Sequence, residues 1–399
     1  MISVERYTGK PKLMALAGGV GVLGLLLTGV GFFLDPKPTS HAYLIAFTYW
    51  VGISVAALLM VAIFHTAKAK WTTVLRRAME TMAISVPIFF VLGLVLIPFV
   101  KHLYPWLLTE EELLTKFSAV EVSHLGHKQH GYLNMPFFIA RQFIYFGVWT
   151  FVSHRLHTWS TRQDETGELA LTVKARMFSP GSLPFLALTI TFASFDWLMS
   201  LTPLWQSTMF GVYYFAGSFL AAFCVLTIAT VNAQGKDLYG NLVTPAHFHN
   251  LGKLMLAFTA FWAYIAFSQF MLIWIANLPE EAPWYNVRIQ GPWLPVSASL
   301  FFLHFLLPFG ILLSRKLKLQ PRKLSVVAVY ILLIHAVDLY WLVWPAYSEG
   351  GPSFHWTLIT SFLGVGGVAI AFALFRAGGK YTVPVKDPYI ADSLRYVQP

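Results

Sequence analysis

The chain has 399 residues, 57% of them hydrophobic and only 12% charged, with a mean hydropathy of +0.62. A soluble domain carries roughly 25% charged residues to stay hydrated, so the composition excludes an ordinary soluble enzyme and points to an all-α integral membrane protein. The single cysteine, Cys224, excludes an intramolecular disulfide, a c-type haem attachment and a self-contained iron–sulfur cluster.

About ten membrane-spanning helices are expected. The first runs from Leu13 to Leu34 behind Arg6, Lys10 and Lys12. It is longer than the roughly 7–15 apolar residues of a cleavable leader, so it reads as an uncleaved span. The others fall at 40–66, 79–104, 134–159, 183–201, 205–232, 252–277, 292–314, 324–345 and 354–376. Each is near or above the roughly 20 residues that cross a bilayer core. Breaks are expected at Asp35-Pro36, Ser179-Pro180-Gly181, Thr202-Pro203, Pro279-Glu280-Glu281 and Glu349-Gly350-Gly351-Pro352. Residues 1–399 form one polytopic domain. Cys224 lies in an apolar stretch and reads as a packing residue.

Lys and Arg alternate from loop to loop. One side collects Arg6, Lys10 and Lys12, then Lys68, Lys70, Arg76 and Arg77, then Arg155, Arg162, Lys174 and Arg176. Lys236, Lys253 and the run from Arg315 to Lys323 follow on the same side. This bias predicts both termini on the cytoplasmic side of the membrane. It also accounts for the net charge of +10 without any nucleic-acid partner. Segment 105–133, with Glu110, Glu111, Glu112 and Glu121, is the one long outer loop and reads as an amphipathic docking surface. The tail 377–399 is expected on the cytoplasmic face.

Ionisable groups at membrane depth are costly, so they mark candidate sites. Counting residues places Asp196 about 8 Å and Arg141 about 10 Å below the outer ends of their helices, a match for a buried ion pair. His335 and Asp338 are three residues apart and share a helix face. His304 lies at the depth of His335, and Tyr264, Ser268 and Gln269 lie on the seventh helix. His65, Glu80, His154, His157, His247 and His249 fall towards the inner side. Together His65, Glu80, Asp196, Tyr264, Ser268, Gln269, His304, His335 and Asp338 sample all depths, as a proton path requires. The rival for His304 and His335 is bis-histidine ligation of a b haem, set against bulky neighbours such as Leu303 and Phe305. His124, His127 and His130 have metal-like spacing but no acidic or cysteine partner, and read as surface histidines.

Several strings resemble one family: Tyr132 to Arg141 with Asn134-Met135-Pro136, Ala193 to Leu201 around Asp196-Trp197, Leu251-Gly252-Lys253-Leu254, Phe261 to Trp274, and Asn277-Leu278-Pro279-Glu280-Glu281. They are similar to the membrane subunits of alternative complex III, a bacterial quinol:cytochrome c oxidoreductase. Within it the chain resembles the second, F-type, of two NrfD-like, polysulfide-reductase-type subunits, over nearly its whole length. The resemblance implies two four-helix bundles, helices 2–5 and 6–9, flanked by helices 1 and 10. It implies a related NrfD-like subunit as partner, with an iron–sulfur protein and multihaem cytochromes c on the outer face. Electrons then pass to cytochrome c or to a terminal oxidase. Haem c and iron–sulfur clusters belong to those partners; this chain is expected to bind none, with quinol its one conceivable ligand. No histidine shares the depth of Asp196 on helices 2–5, which favours proton conduction or scaffolding over quinol oxidation. The alternatives are an independent secondary transporter, for which the glycines near Gly364 hint at a broken helix, and a b-type cytochrome.

Overall fold

A computed structural model describes residues 6–8, 11–234, 239 and 242–397. Lys10 and Lys236, both used in the orientation argument, lie outside the described residues. The chain is an all-α integral membrane protein. Its described residues include ten helices of spanning length: α1 (Pro11–Leu34), α2 (Pro36–Thr66), α3 (Lys70–Leu94), α4 (Met135–Thr166), α5 (Leu169–Leu201), α6 (Phe210–Ala233), α7 (Pro245–Ala276), α8 (Gly291–Leu313), α9 (Pro321–Ala346) and α10 (Thr357–Ala377). The end bearing the C-terminal tail is termed the tail face, and the end bearing segment 105–134 the loop face.

Helices α2–α5 pack as one bundle and α6–α9 as a second, and the first helix of each forms the seam. Helix α2 is buried along almost its whole length. Small residues make this possible by letting backbones approach. A Cβ on Gly52 of α2 would stand 2.5 Å from the Ser218 hydroxyl of α6, and the Tyr214 hydroxyl of α6 donates to the Thr48 carbonyl at 2.6 Å. Helices α1 and α10 pair outside the bundles. A Cβ at Gly24 would come within 2.6 Å of the Gly364 nitrogen, and one at Gly367 within 2.7 Å of Gly21 Cα. Helix α10 is continuous, so its glycines serve close packing and not a break.

Several boundaries differ from expectation. Helix α5 begins at Leu169, and Pro180 and Pro184 lie inside it. Spanning helices tolerate internal prolines; each here withholds the N–H that would meet the carbonyl four residues back, while Ser179 donates to the Ala175 carbonyl and Ser182 to that of Ser179, both at 2.8 Å. Helix α4 runs on to Thr166, past the expected 159, as a polar extension. Helix α3 begins at Lys70, and its regular turns stop at Leu94. Beyond, Pro98 withholds a donor, and only short turns at Ile97–Phe99 and Val100–Leu103 follow. Segment 105–133 folds as expected of an amphipathic element: helices Glu110–Leu114 and Ala119–Gly131 bury Leu113, Val122 and Leu125 against the bundle. Each opens on a capping box, Thr109 with Glu112 and Ser118 with Glu121. Hydrogen bonds from the capping backbone N–H and hydroxyl hold both carboxyls below the usual glutamate range.

Candidate functional site

In the first bundle, near the loop face, Arg141 of α4 and Asp196 of α5 form a two-pronged pair. Nε donates to Oδ2 at 2.8 Å and Nη2 to Oδ1 at 2.9 Å. The third nitrogen, Nη1, donates to the Tyr132 carbonyl at 2.9 Å, and the guanidinium lies 3.8 Å from the Tyr132 ring centroid and 4.3 Å from that of Phe137. The Tyr145 hydroxyl adds a third donor to Asp196, at 2.8 Å. Every charge here has its opposite, as a buried pair requires. Behind Trp197 lies a cavity of about 160 Å³, lined mainly by apolar side chains from α3 and α4, with Gln142 as a polar exception.

The second bundle carries Asp338 on α9, 1% exposed. Its Oδ1 accepts from the Tyr213 hydroxyl of α6, and its Oδ2 accepts from Trp262 Nε1 of α7 at 3.2 Å. Both are neutral donors. His335, one turn earlier, brings Nδ1 to 3.6 Å from Oδ2. Gly217 of α6 makes room for that imidazole, since a Cβ there would meet His335 Cε1 at 2.8 Å. His304 of α8 stacks at 4.1 Å on Trp262 and 6.0 Å from His335. All four ring nitrogens of His304 and His335 are buried without a hydrogen-bond partner among the described residues. His304 sits in Leu300–Leu306, which winds as a π-helix, a wide-turn geometry frequent at functional sites.

On the far side of Tyr213 and Trp262 is a cleft of about 720 Å³ between α7 and α8. Its walls are mostly apolar and aromatic, including Phe267, Phe301 and Phe305, and its rim carries side chains that are exposed along the lipid-facing flank. Tyr285 and Ile289 line its loop-face end, and beside them lies the buried Arg288. It donates to the carbonyls of Trp284, Trp341 and Leu342 at 2.9, 3.3 and 3.1 Å and lies 3.6 Å from the Trp284 ring. Burial lowers its pKa to about 9.

The remaining candidates divide. Glu80 of α3 joins a third charged group at the tail face with Arg76, Arg77, His157, Asp164 and Asp387. His65 is buried close by at the end of α2. Tyr264 points outward, 64% exposed, and lines the cleft rather than meeting Asp338. Gln269 is buried one turn beyond Ile265, and Ser268 is half-buried. His247 caps α7 through Thr244 and His154 is exposed. His124, His127 and His130 stay on the exposed side of Ala119–Gly131, and no group of three metal-binding side chains occurs among the described residues. Cys224 is buried in α6. Sequence reasoning missed Tyr213, Trp262 and Tyr145, aromatic residues that nothing local distinguishes. It also counted Arg76 and Arg77 only among the Lys and Arg that set orientation, although both are buried; their spacing of four and three residues from Glu80 was the available signal. No protein-family model matches the chain, and no curated protein matches it.

Proposed function

We propose that this chain is a membrane subunit of a quinol:cytochrome c, or quinol:oxidase-linked, oxidoreductase of the alternative complex III type. It carries protons through its second bundle and leaves electron transfer to partners. The observation that carries the reading is Asp338, a carboxylate in the membrane interior held only by neutral donors and flanked by two imidazoles with free nitrogens. A carboxylate without a cation in a low dielectric exchanges a proton far more readily than one clamped by a guanidinium. The tail face, with its excess of Lys and Arg, is then cytoplasmic, in a bacterial inner membrane. The loop face meets an iron–sulfur protein and multihaem cytochromes c, beside a second NrfD-like subunit. Haem c and iron–sulfur clusters are left to those partners, and no haem is assigned to this chain. The close α1–α10 packing removes the glycine argument for a transporter.

The test is Asp338→Asn in the assembled complex, scored as proton release per quinol oxidised. Normal assembly with proton release reduced about tenfold or more supports the reading; unchanged release at equal assembly reduces Asp338 to a packing hydrogen bond. The cleft beside Tyr213 favours a second role, quinol binding by this chain, with an isoprenoid tail along Phe267 and Phe301. A photoreactive quinone that labels α7 or α8 supports that role, and labelling confined to partner subunits removes it.

A further inference from the structure

At the tail face Arg76, Arg77 and Glu80 of α3, His157 and Asp164 of α4, and Asp387 of the C-terminal tail are all more than nine-tenths buried. Arg77 bonds Glu80 at 2.8 Å and also bonds Asp164. Arg76 bonds Asp387 and lies 3.6 Å from Glu80 Oε1. Three carboxylates thus share two guanidinium groups. Carboxylates crowded in one desolvated site do not all ionise, so the cluster is balanced by one proton.

The geometry favours Glu80 as its seat. Glu80 Oε1, Asp164 Oδ1 and His157 Nδ1 are buried without a hydrogen-bond partner, and His157 Nδ1 stands 3.9 Å from Glu80 Oε2. Ser160 also faces Glu80. The other charged or titratable neighbours are peripheral: Arg376, Lys380 and His154 around His157, His65 and Arg176 towards Arg76, and Tyr239 near Arg77.

The tail closes this cluster from outside. Ser393 donates to the Trp71 carbonyl at 2.8 Å and accepts from the Val74 N–H at 3.1 Å. The Tyr396 hydroxyl accepts from Asn250 at 2.9 Å, and the Arg176 guanidinium lies 4.0 Å over the Tyr389 ring. Val383 and Ile390 are buried beneath. Asp387 therefore both latches the tail on Arg76 and supplies the third negative charge.

We infer that residues 380–396 are a lid over a proton-binding site at Glu80, and that lid closure and proton uptake favour each other. With the lid docked, Asp387 leaves the cluster one negative charge in excess until Glu80 takes a proton from water at the tail face. With the lid away, Glu80 and Asp164 balance Arg76 and Arg77 with no proton needed. Linkage is reciprocal, so the docked lid is favoured at low pH and loosens as pH rises through the deprotonation of Glu80. The step moves one proton onto a carboxylate oxygen and back to water; no electron transfer is involved. It stands apart from the Asp338 reading, and its test does not use turnover.

Hydrogen–deuterium exchange of residues 383–394 is measured on the full chain in nanodiscs, corrected for the intrinsic pH dependence of exchange. Protection is expected to fall about fivefold or more across a pH series taken from the acidic to the alkaline limit of the protein's stability. Glu80→Gln, which mimics the protonated acid, holds protection high and flat with pH; Asp387→Asn makes it low and flat. Asp164→Asn removes one negative charge while its amide oxygen can still accept from the Val385 N–H of the tail; should Glu80→Gln fold poorly, it gives the same high, flat profile. Protection independent of pH in the wild type, or a wild-type profile retained in Glu80→Gln or Asp164→Asn, overturns the inference.

Discussion

Each bundle carries one aspartate on its fourth helix towards the loop face, and the two are treated in opposite ways. Asp196 of α5 receives two nitrogens of Arg141 and the Tyr145 hydroxyl, while the guanidinium is itself saturated by the Tyr132 carbonyl and flanked by two rings. Asp338 of α9 receives a phenol and an indole, with an imidazole nitrogen 3.6 Å away. The first arrangement fixes a charge in place; the second leaves it adjustable. One architecture thus holds one acid by a guanidinium and the other by neutral donors, according to whether an arginine faces it, and the proposed proton exchange rests on that difference. Functional weight therefore falls on the less well-paired of the two.

The comparison breaks most visibly at the clamp. Asp196→Asn strands the Arg141 guanidinium, 5% exposed, without its counter-charge. Losing one partner of a buried pair costs about 3–5 kcal/mol. The expected outcome is a strong loss of folded chain, read from denaturation in mixed micelles and from the amount recovered in membranes. Stability within about 1 kcal/mol of wild type would show that Arg141 finds water or another partner, and that the clamp is not one.

Tyr213→Phe sharpens the other half. It removes the phenol from Asp338 Oδ1 and leaves Trp262 Nε1, at 3.2 Å, as the remaining donor. Side-chain hydrogen bonds inside membranes average about 0.6 kcal/mol and reach about 1.7; this one, to an acid with no cation, is expected near the upper figure. The same variant should alter proton release, because Tyr213 lies between the cleft and Asp338. Wild-type stability and proton release together would separate Tyr213 from the site.

The sequence made the charges legible because their cost in lipid makes them rare. Arg141 and Asp196 were matched by depth alone, and His335 with Asp338 by helical spacing. Their neutral donors were not legible: aromatic residues make up 16% of the chain, and nothing in Tyr213 or Trp262 sets them apart before the helices pack. Spans were found by their apolar windows, so polar extensions such as the end of α4 and the start of α5 fell outside them. Pro180 read as a break because the backbone rules of soluble helices were applied, whereas a spanning helix tolerates an internal proline. Arg76 and Arg77 entered only as orientation charges, and the buried pairing of Arg76 was not legible because its acid, Asp387, lies more than 300 residues away in the chain.

The smallest effect is expected at Tyr145, and it is the finest measure of the difference between the bundles. Tyr145→Phe removes one donor from Asp196 Oδ2, but that oxygen keeps Arg141 Nε at 2.8 Å and its partner oxygen keeps Nη2 at 2.9 Å. The carboxylate remains charged and bound on both oxygens, so only one redundant hydrogen bond is lost. The phenyl ring can still pack on Trp149, 6.1 Å away centroid to centroid. The cost should be about 0.6 kcal/mol, the average for such bonds in membranes, below that of Tyr213→Phe measured in the same micelles. If Tyr145→Phe proves the more damaging, the phenol and not the guanidinium holds Asp196, and the contrast between a clamped and an adjustable aspartate fails.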